Sequence, residues 1–231
     1  MVKINITELK PLLESSKKII IIPHKNPDGD AIGSCIALNE VLKSLGYQSS
    51  VVSPNNFPDF LKWIDDEKEI KIYENSPELY NSEILNADLI FTLDFNSLSR
   101  IGLMGEVVKE SKAVKVMIDH HQSPDDYAAY IYSDVLMSST CEMVYHFIAE
   151  LSLTDKITPK VASALYTGIM TDTGSFKFPL TTYVTHRVIS ELIKKGANGN
   201  EINNLVYDNN SFDKVLLLSH TLSNMVVNAE Y

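Results

Sequence analysis

The segment His24-Lys-Asn-Pro-Asp28-Gly-Asp30 brings one imidazole and two carboxylates together beside Pro23, Pro27 and Gly29. Two prolines and a glycine turn the backbone instead of letting a strand run straight into a helix, so three potential metal ligands are exposed at the turn. Asp94 and His120 could add ligands from distant parts of the chain, and Asp172, in Thr171-Asp-Thr-Gly174, is a further candidate. Imidazole nitrogen mixed with carboxylate oxygen, and no thiolate, suits Mn²⁺ or a similar divalent ion better than a structural zinc site. Two such ions about 4 Å apart can polarise a phosphorus centre, acidify a shared water and stabilise a leaving oxygen. Phosphoryl chemistry is therefore the reaction class these residues suit.

The elements that would position them follow from the apolar pattern. Ile19 to Ile22 run into Pro23-His24, Leu89 to Leu93 into Asp94, and Val114 to Ile118 into Asp119-His120-His121. Largely apolar runs of this kind, interrupted only by Thr92 and Lys115, suit parallel strands buried on both faces. Between the first run and the next strand, Gln48 to Val52, the residues Ile32, Cys35, Leu38, Val41 and Leu45 recur every three or four positions, and Gly46 supplies a helix stop. The alternation predicts an α/β fold with a doubly wound, mostly parallel sheet and helices on both faces. Ligands in such sheets bind beyond the carboxyl ends of the strands, where all three polar strand ends would converge.

Past residue 138 the pattern is helical. Ser139 to Glu142 reads as a capping box, Thr158-Pro159 starts another helix, Val184 to Ile193 forms a third before Gly196, and Ser211 to Val227 forms a fourth.

Length and composition bound the rest. With 231 residues, 45% apolar and 22% charged, the chain resembles ordinary globular proteins and leaves little room for two complete domains. A net charge of −10 argues against a generic basic nucleic-acid groove. The cysteines, Cys35 and Cys141, are too few for a secreted disulfide scaffold, and no apolar segment is long enough for a signal core or a membrane span. A cytoplasmic protein without a membrane partner is expected.

Plain structural roles compete for several residues. His146, His186 and His220 lie among helical apolar residues and read as packing or surface histidines, and Glu142 reads as the acid of the capping box. Lys25 and Arg100 could meet phosphate or simply be solvated, while Gly29, Gly102 and Gly174 could serve turns. What favours chemistry is that acids and imidazoles end three separate strands facing one crevice.

Those residues resemble the DHH phosphoesterases in four separated motifs between about Ile19 and Phe176: His24 to Asp30; Leu93-Asp94 with Ser97 to Gly102; Asp119-His120-His121; and Gly168 to Gly174 around Asp172. The resemblance implies that His24, Asp28 and Asp94 hold one metal and that Asp30, Asp94, His120 and Asp172 hold a second, with Asp94 as the bridge. It further implies that His121 touches the substrate phosphate or assists proton transfer, and that Asp119 orients the histidines. Gly29, where similar pyrophosphatases usually carry threonine, and Ser139-Thr140-x-Glu142-x-Val144-Tyr145 resemble the branch that degrades nano-RNA and dephosphorylates 3′-phosphoadenosine 5′-phosphate.

Three functions follow from this likeness. The first is a phosphoesterase with two Mn²⁺ ions acting on short single-stranded RNA or DNA or on small phosphorylated nucleotides. The second is an exopolyphosphatase or inorganic pyrophosphatase, and the third a non-catalytic, metal-dependent nucleotide-binding module. The expected organisation is a catalytic α/β domain over residues 1–196 and a helical linker over 197–231. That linker would lead toward a DHH-associated substrate-binding domain, because nothing after Ala197 resembles that domain's glycine-rich, histidine-containing loop. Homo-oligomerisation is left open.

Overall fold

The computed structural model describes residues 8–208 and 212–226. Six parallel strands form one sheet in the order β3-β2-β1-β4-β5-β6. They are β1 (Lys18–Pro23), β2 (Gln48–Ser53), β3 (Lys71–Ile72), β4 (Leu89–Leu93), β5 (Val114–Asp119) and β6 (Tyr130–Ser133). The order reverses between β1 and β4, which pair from Ile19↔Leu89 to Pro23↔Leu93. Their carboxyl ends, His24 and Asp94, therefore flank the switch-point crevice where ligands bind in doubly wound sheets.

The helices are α1 (Leu9–Ser15), α2 (Gly29–Ser44), α3 (Pro77–Leu85), α4 (Met104–Glu110), α5 (Thr140–Glu150), α6 (Pro159–Asp172), α7 (Tyr183–Lys194), α8 (Gly199–Tyr207) and α9 (Phe212–Ser223). The four-isoleucine run of β1 explains how both sheet faces are covered. Ile19 and Ile21 join the core formed with α2, α5 and α6, while Ile20 and Ile22 join a second core with Ile84 of α3 and Met104 of α4. Alternate side chains of a strand point to opposite faces, so an unbroken apolar run is what a sheet covered on both sides requires. Phe91 of β4 meets Phe147 of α5 edge to face at 5.9 Å, and burying each such ring contributes about 1.5–3 kcal/mol.

Close helix packing sets the distance between the functional segments. A Cβ on Gly33 of α2 would lie 2.5 Å from the Ala164 carbonyl oxygen of α6, and one on Gly168 of α6 would lie 2.2 Å from Sγ of Cys141 in α5. Helices α2, α5 and α6 therefore meet nearly backbone to backbone at the end that carries Asp30 and Asp172.

Gly46, at φ +88°, ends the first expected helix, and Thr158 caps α6 through Val161 N with Pro159 in its first turn. Two readings change. Gly29 serves no turn: it lies in the first turn of α2, where a Cβ would fall 2.4 Å from Oγ1 of Thr171. The capping box at α5 is half made, because Ser139 Oγ accepts from Glu142 N while the Glu142 carboxylate bonds the hydroxyls of Ser138 and Thr185. Of the expected last helix, Phe212–Ser223 is helical, and Ser211 and Val227 lie outside the described residues. Helix α8, not expected from sequence, sends Ile202 into the main core. Among the described residues no helix is long and apolar enough to cross a membrane.

Candidate metal centre

Each candidate ligand occupies an element end whose local structure fixes its direction. His24 follows β1, is buried, and lies 2.8 Å through Nδ1 from the Lys25 carbonyl. A proton on Nδ1 leaves Nε2 as the free donor atom. That Nε2 stands 3.5 Å from Oδ2 of Asp94 and 3.8 Å from Oδ2 of Asp28. Asp28 is the N-cap of α2: its Oδ1 accepts from the backbone N–H of Asp30 at 3.0 Å and of Ala31 at 3.1 Å, which leaves Oδ2 for His24.

Asp30 sits one residue into α2 and is 1% exposed. Its Oδ2 accepts from Thr140 N at 2.6 Å and its Oδ1 from Cys141 N at 2.8 Å, both at the amino end of α5. The first N–H groups of a helix have no partner within it, so this carboxylate supplies the cap from another segment. Burial, followed by the charges of Asp94 and Asp172, still raises the Asp30 pKa well above the carboxylate norm.

Asp94 follows β4 with φ +67°, in the left-handed region that few residues other than glycine enter. Its backbone N–H still donates to Ile118 O at 3.1 Å, so the turn begins directly at the strand end. Thr140 Oγ1 donates to Asp94 Oδ1 at 2.8 Å. Burial alone would raise the Asp94 pKa, yet His24, and then His120 and His121, hold it below the usual value.

His120 sits just past β5 with Nδ1 3.3 Å from the Met137 carbonyl. Its Nε2 lies 3.4 Å from Oδ2 of Asp172, 3.7 Å from Oδ1 of Asp94 and 4.0 Å from Oδ2 of Asp30. Asp172 closes α6; burial is the main reason its pKa rises to about 6, with Asp94 and Asp28 pushing the same way and His120 opposing them. Asp119, fully buried at the end of β5, accepts from the His121 backbone N–H at 3.1 Å and stands 2.7 Å from His121 Nδ1. That hydrogen bond raises the His121 pKa, partly opposed by burial and by the positive charge of Arg100.

All eight sequence-nominated residues thus gather at the carboxyl edge of β1, β4 and β5. Three groupings could hold a cation: His24, Asp28 and Asp94; Asp30, His120 and Asp172; and Asp94, His120 and His121. Among the described residues, the ion-pair partners of Asp30, Asp94 and Asp172 are all histidines. Oxygen and imidazole donors with surplus negative charge fit hard to borderline divalent ions. Cys35 and Cys141 are buried free thiols whose pKa values are pushed up mainly by burial, so neither competes as a thiolate. The histidines set aside stay apart: His186 packs 5.9 Å from the Phe176 ring, His146 faces Glu142, and His220 lies on exposed α9.

Sequence reasoning named Thr140 only as part of the Ser139 to Tyr145 motif and missed its role, donation to two of the acids. Only its place one residue after the Ser139 cap hinted at free N–H groups there.

Known proteins resemble this chain. The bifunctional oligoribonuclease and PAP phosphatase NrnA of Bacillus subtilis is 30% identical over 206 residues, covering 87% of this chain and 61% of that protein. Its namesake from Thermus thermophilus is 33% identical over 178 residues, covering 77% and 50%. The chain therefore spans about half to three-fifths of the length of these relatives. The crystal structure of an exopolyphosphatase-related protein from Bacteroides fragilis superposes with a TM-score of 0.94 at 39% identity, covering 96% of this chain and 66% of that one. The family model for the N-terminal domain of the DHH family matches residues 18–169, a span that runs from β1 into α6 and takes in Asp119-His120-His121, and the chain accordingly belongs to the DHH family.

Proposed function

We propose that the chain carries a Mn²⁺-dependent phosphoesterase centre that hydrolyses short oligonucleotides and nucleoside bisphosphates with water activated between two ions. The observation that carries this reading is the split of the Asp94 carboxylate, with Oδ2 3.5 Å from His24 Nε2 and Oδ1 3.7 Å from His120 Nε2. One buried acid thus faces two donor sets: His24 with Asp28, and His120 with Asp30 and Asp172. Two divalent ions, when bound, supply Lewis acidity toward phosphoryl oxygens and lower the pKa of a shared water.

The chain's own groups do the rest. Asp119 holds Nδ1 of His121, so Nε2 of this partly exposed ring is free to donate to a phosphate oxygen or to a leaving oxygen. The raised His121 pKa favours that donor form. Arg100 acts on the same histidine and adds positive charge on the substrate side.

The names of the NrnA relatives support nucleotide substrates. The Bacteroides neighbour favours a second reading, hydrolysis of polyphosphate or pyrophosphate at the same centre. On either reading residues 1–196 are proposed as the catalytic domain, with Ile202 of α8 also packed in its core, and 197–231 as the stretch toward a substrate-binding domain. A product profile with Mn²⁺ on dinucleotides, 3′-phosphoadenosine 5′-phosphate, polyphosphate and pyrophosphate tests both. Mononucleotide or AMP release supports the first, orthophosphate from the inorganic substrates alone supports the second, and no turnover of any substrate refutes both.

A further inference from the structure

Away from the metal centre, α5, α7 and the turn at Thr154 line an open cleft of about 500 Å³. Its wall carries donors with no protein partner. Among the described residues, neither the Arg187 guanidinium nor the Tyr145 hydroxyl has a hydrogen-bond partner, and Arg187 has no ion pair. His146 also lines the cleft, but its Nε2 is buried and faces Glu142 Oε1 at 3.8 Å, so it is not among these donors. Lys195 donates from Nζ to the Thr154 carbonyl at 2.9 Å, which holds its charge over the same space. The acid on this wall, Glu191, bonds Lys194 at 2.7 Å and also feels the charges of Arg187 and Lys195, so it is shared among three cations.

In a chain of net charge −10, three cations sharing one acid leave positive charge that an anion can meet at this wall. Bare phosphate would leave most of the cleft unfilled. Val184, Val188 and the Tyr145 ring line the remainder and suit a flat apolar body. We propose that this cleft binds a phosphorylated small molecule with an aromatic body, of the size of a nucleoside monophosphate. The phosphate would lie toward Arg187 and Lys195 and the ring against Tyr145 and the valines. None of the lining residues belongs to the metal centre.

The test is titration of the full chain in EDTA with 5′-AMP and with phenyl phosphate, followed by calorimetry and by NMR of the Val184 and Val188 methyls. Saturable binding is expected, weakened about tenfold or more by Arg187→Glu and held within about twofold by Asp94→Asn. Adenosine alone should bind more weakly than AMP. Arg187 is exposed, so its substitution should leave the fold intact, which a thermal melt checks. The proposal is overturned by no saturable shift with either phosphate, by unchanged affinity in Arg187→Glu, or by adenosine binding as tightly as AMP. Because binding is read without metal, the result is independent of whether the DHH centre turns over.

Discussion

Thr140 Oγ1 donates to Oδ1 of Asp94 at 2.8 Å across 46 residues of chain, while its backbone N–H donates to Asp30 at 2.6 Å. One residue in the first turn of α5 therefore orients acids from two other elements. Thr140→Val keeps the shape and the N–H but removes the hydroxyl. Mn²⁺ affinity, measured by calorimetry, should fall about 10–100-fold, with a stability loss of only about 1 kcal/mol. Unchanged affinity would show that Asp94 needs no such guide.

Asp94 and Asp119 should separate in their consequences. Asparagine tolerates the left-handed backbone at position 94, so Asp94→Asn should fold. It should lose metal and turnover beyond the roughly 10–100-fold expected for Asp119→Asn, which only releases His121. Metal content and kcat measured side by side check this; two ions per chain and near-normal rates in Asp94→Asn would refute the shared carboxylate.

Metal uptake should be steeply pH-dependent. Burial raises the pKa of Asp172 to about 6 and that of Asp30 well above the carboxylate norm, and His24 and His121 are raised by their carboxylate neighbours against the effect of burial. Raised groups keep their protons to higher pH, and the ligand atoms among them must lose those protons to hold an ion. Affinity should therefore fall as pH drops through about 6, and more Mn²⁺ should move the midpoint of activity downward. Calorimetry in buffers of different ionisation heat should register proton release, and a midpoint indifferent to Mn²⁺ would contradict the assignment.

Gly168→Ala offers a structural check. Alanine within a helix normally gains about 1 kcal/mol over glycine. Here the new methyl would lie 2.2 Å from Cys141 Sγ and 2.9 Å from Asp30 Oδ1. Overpacking should win, for a net loss of about 1–2 kcal/mol in denaturant unfolding. A second change, Cys141→Ala, should restore part of it; no rescue would place the strain elsewhere.

The strand ends were legible because a largely apolar run stopping at Asp94 or at Asp119-His120-His121 is a local signal. The partners of those acids were not. The bonds from Thr140 and Cys141 to Asp30 span 110 and 111 residues, far beyond any periodicity window. Helix α8 escaped notice because Asn200, Asn203 and Asn204 dilute its apolar spacing, and only Ile202 is fully buried. Strand β3, two residues at the sheet edge, carries too little side-chain pattern to register. The left-handed backbone of Asp94 has no signature at all, since a strand-end aspartate reads equally well as a turn former.

The capping of α5 by Asp30 also sets an order of assembly. While the chain is being made, β1 and the start of α2 emerge long before the helix end that neutralises Asp30. Until α5 docks, burying that acid would leave a carboxylate among apolar side chains with no donor, a state costly enough to be avoided. The first half of the chain therefore cannot settle into its final packing alone, and Asp172 at the end of α6 arrives later still. A metal ion that needs these residues together would find no finished site on a growing chain, and would act as a lock on a domain already closed, stabilising it in proportion to the concentration of free ion.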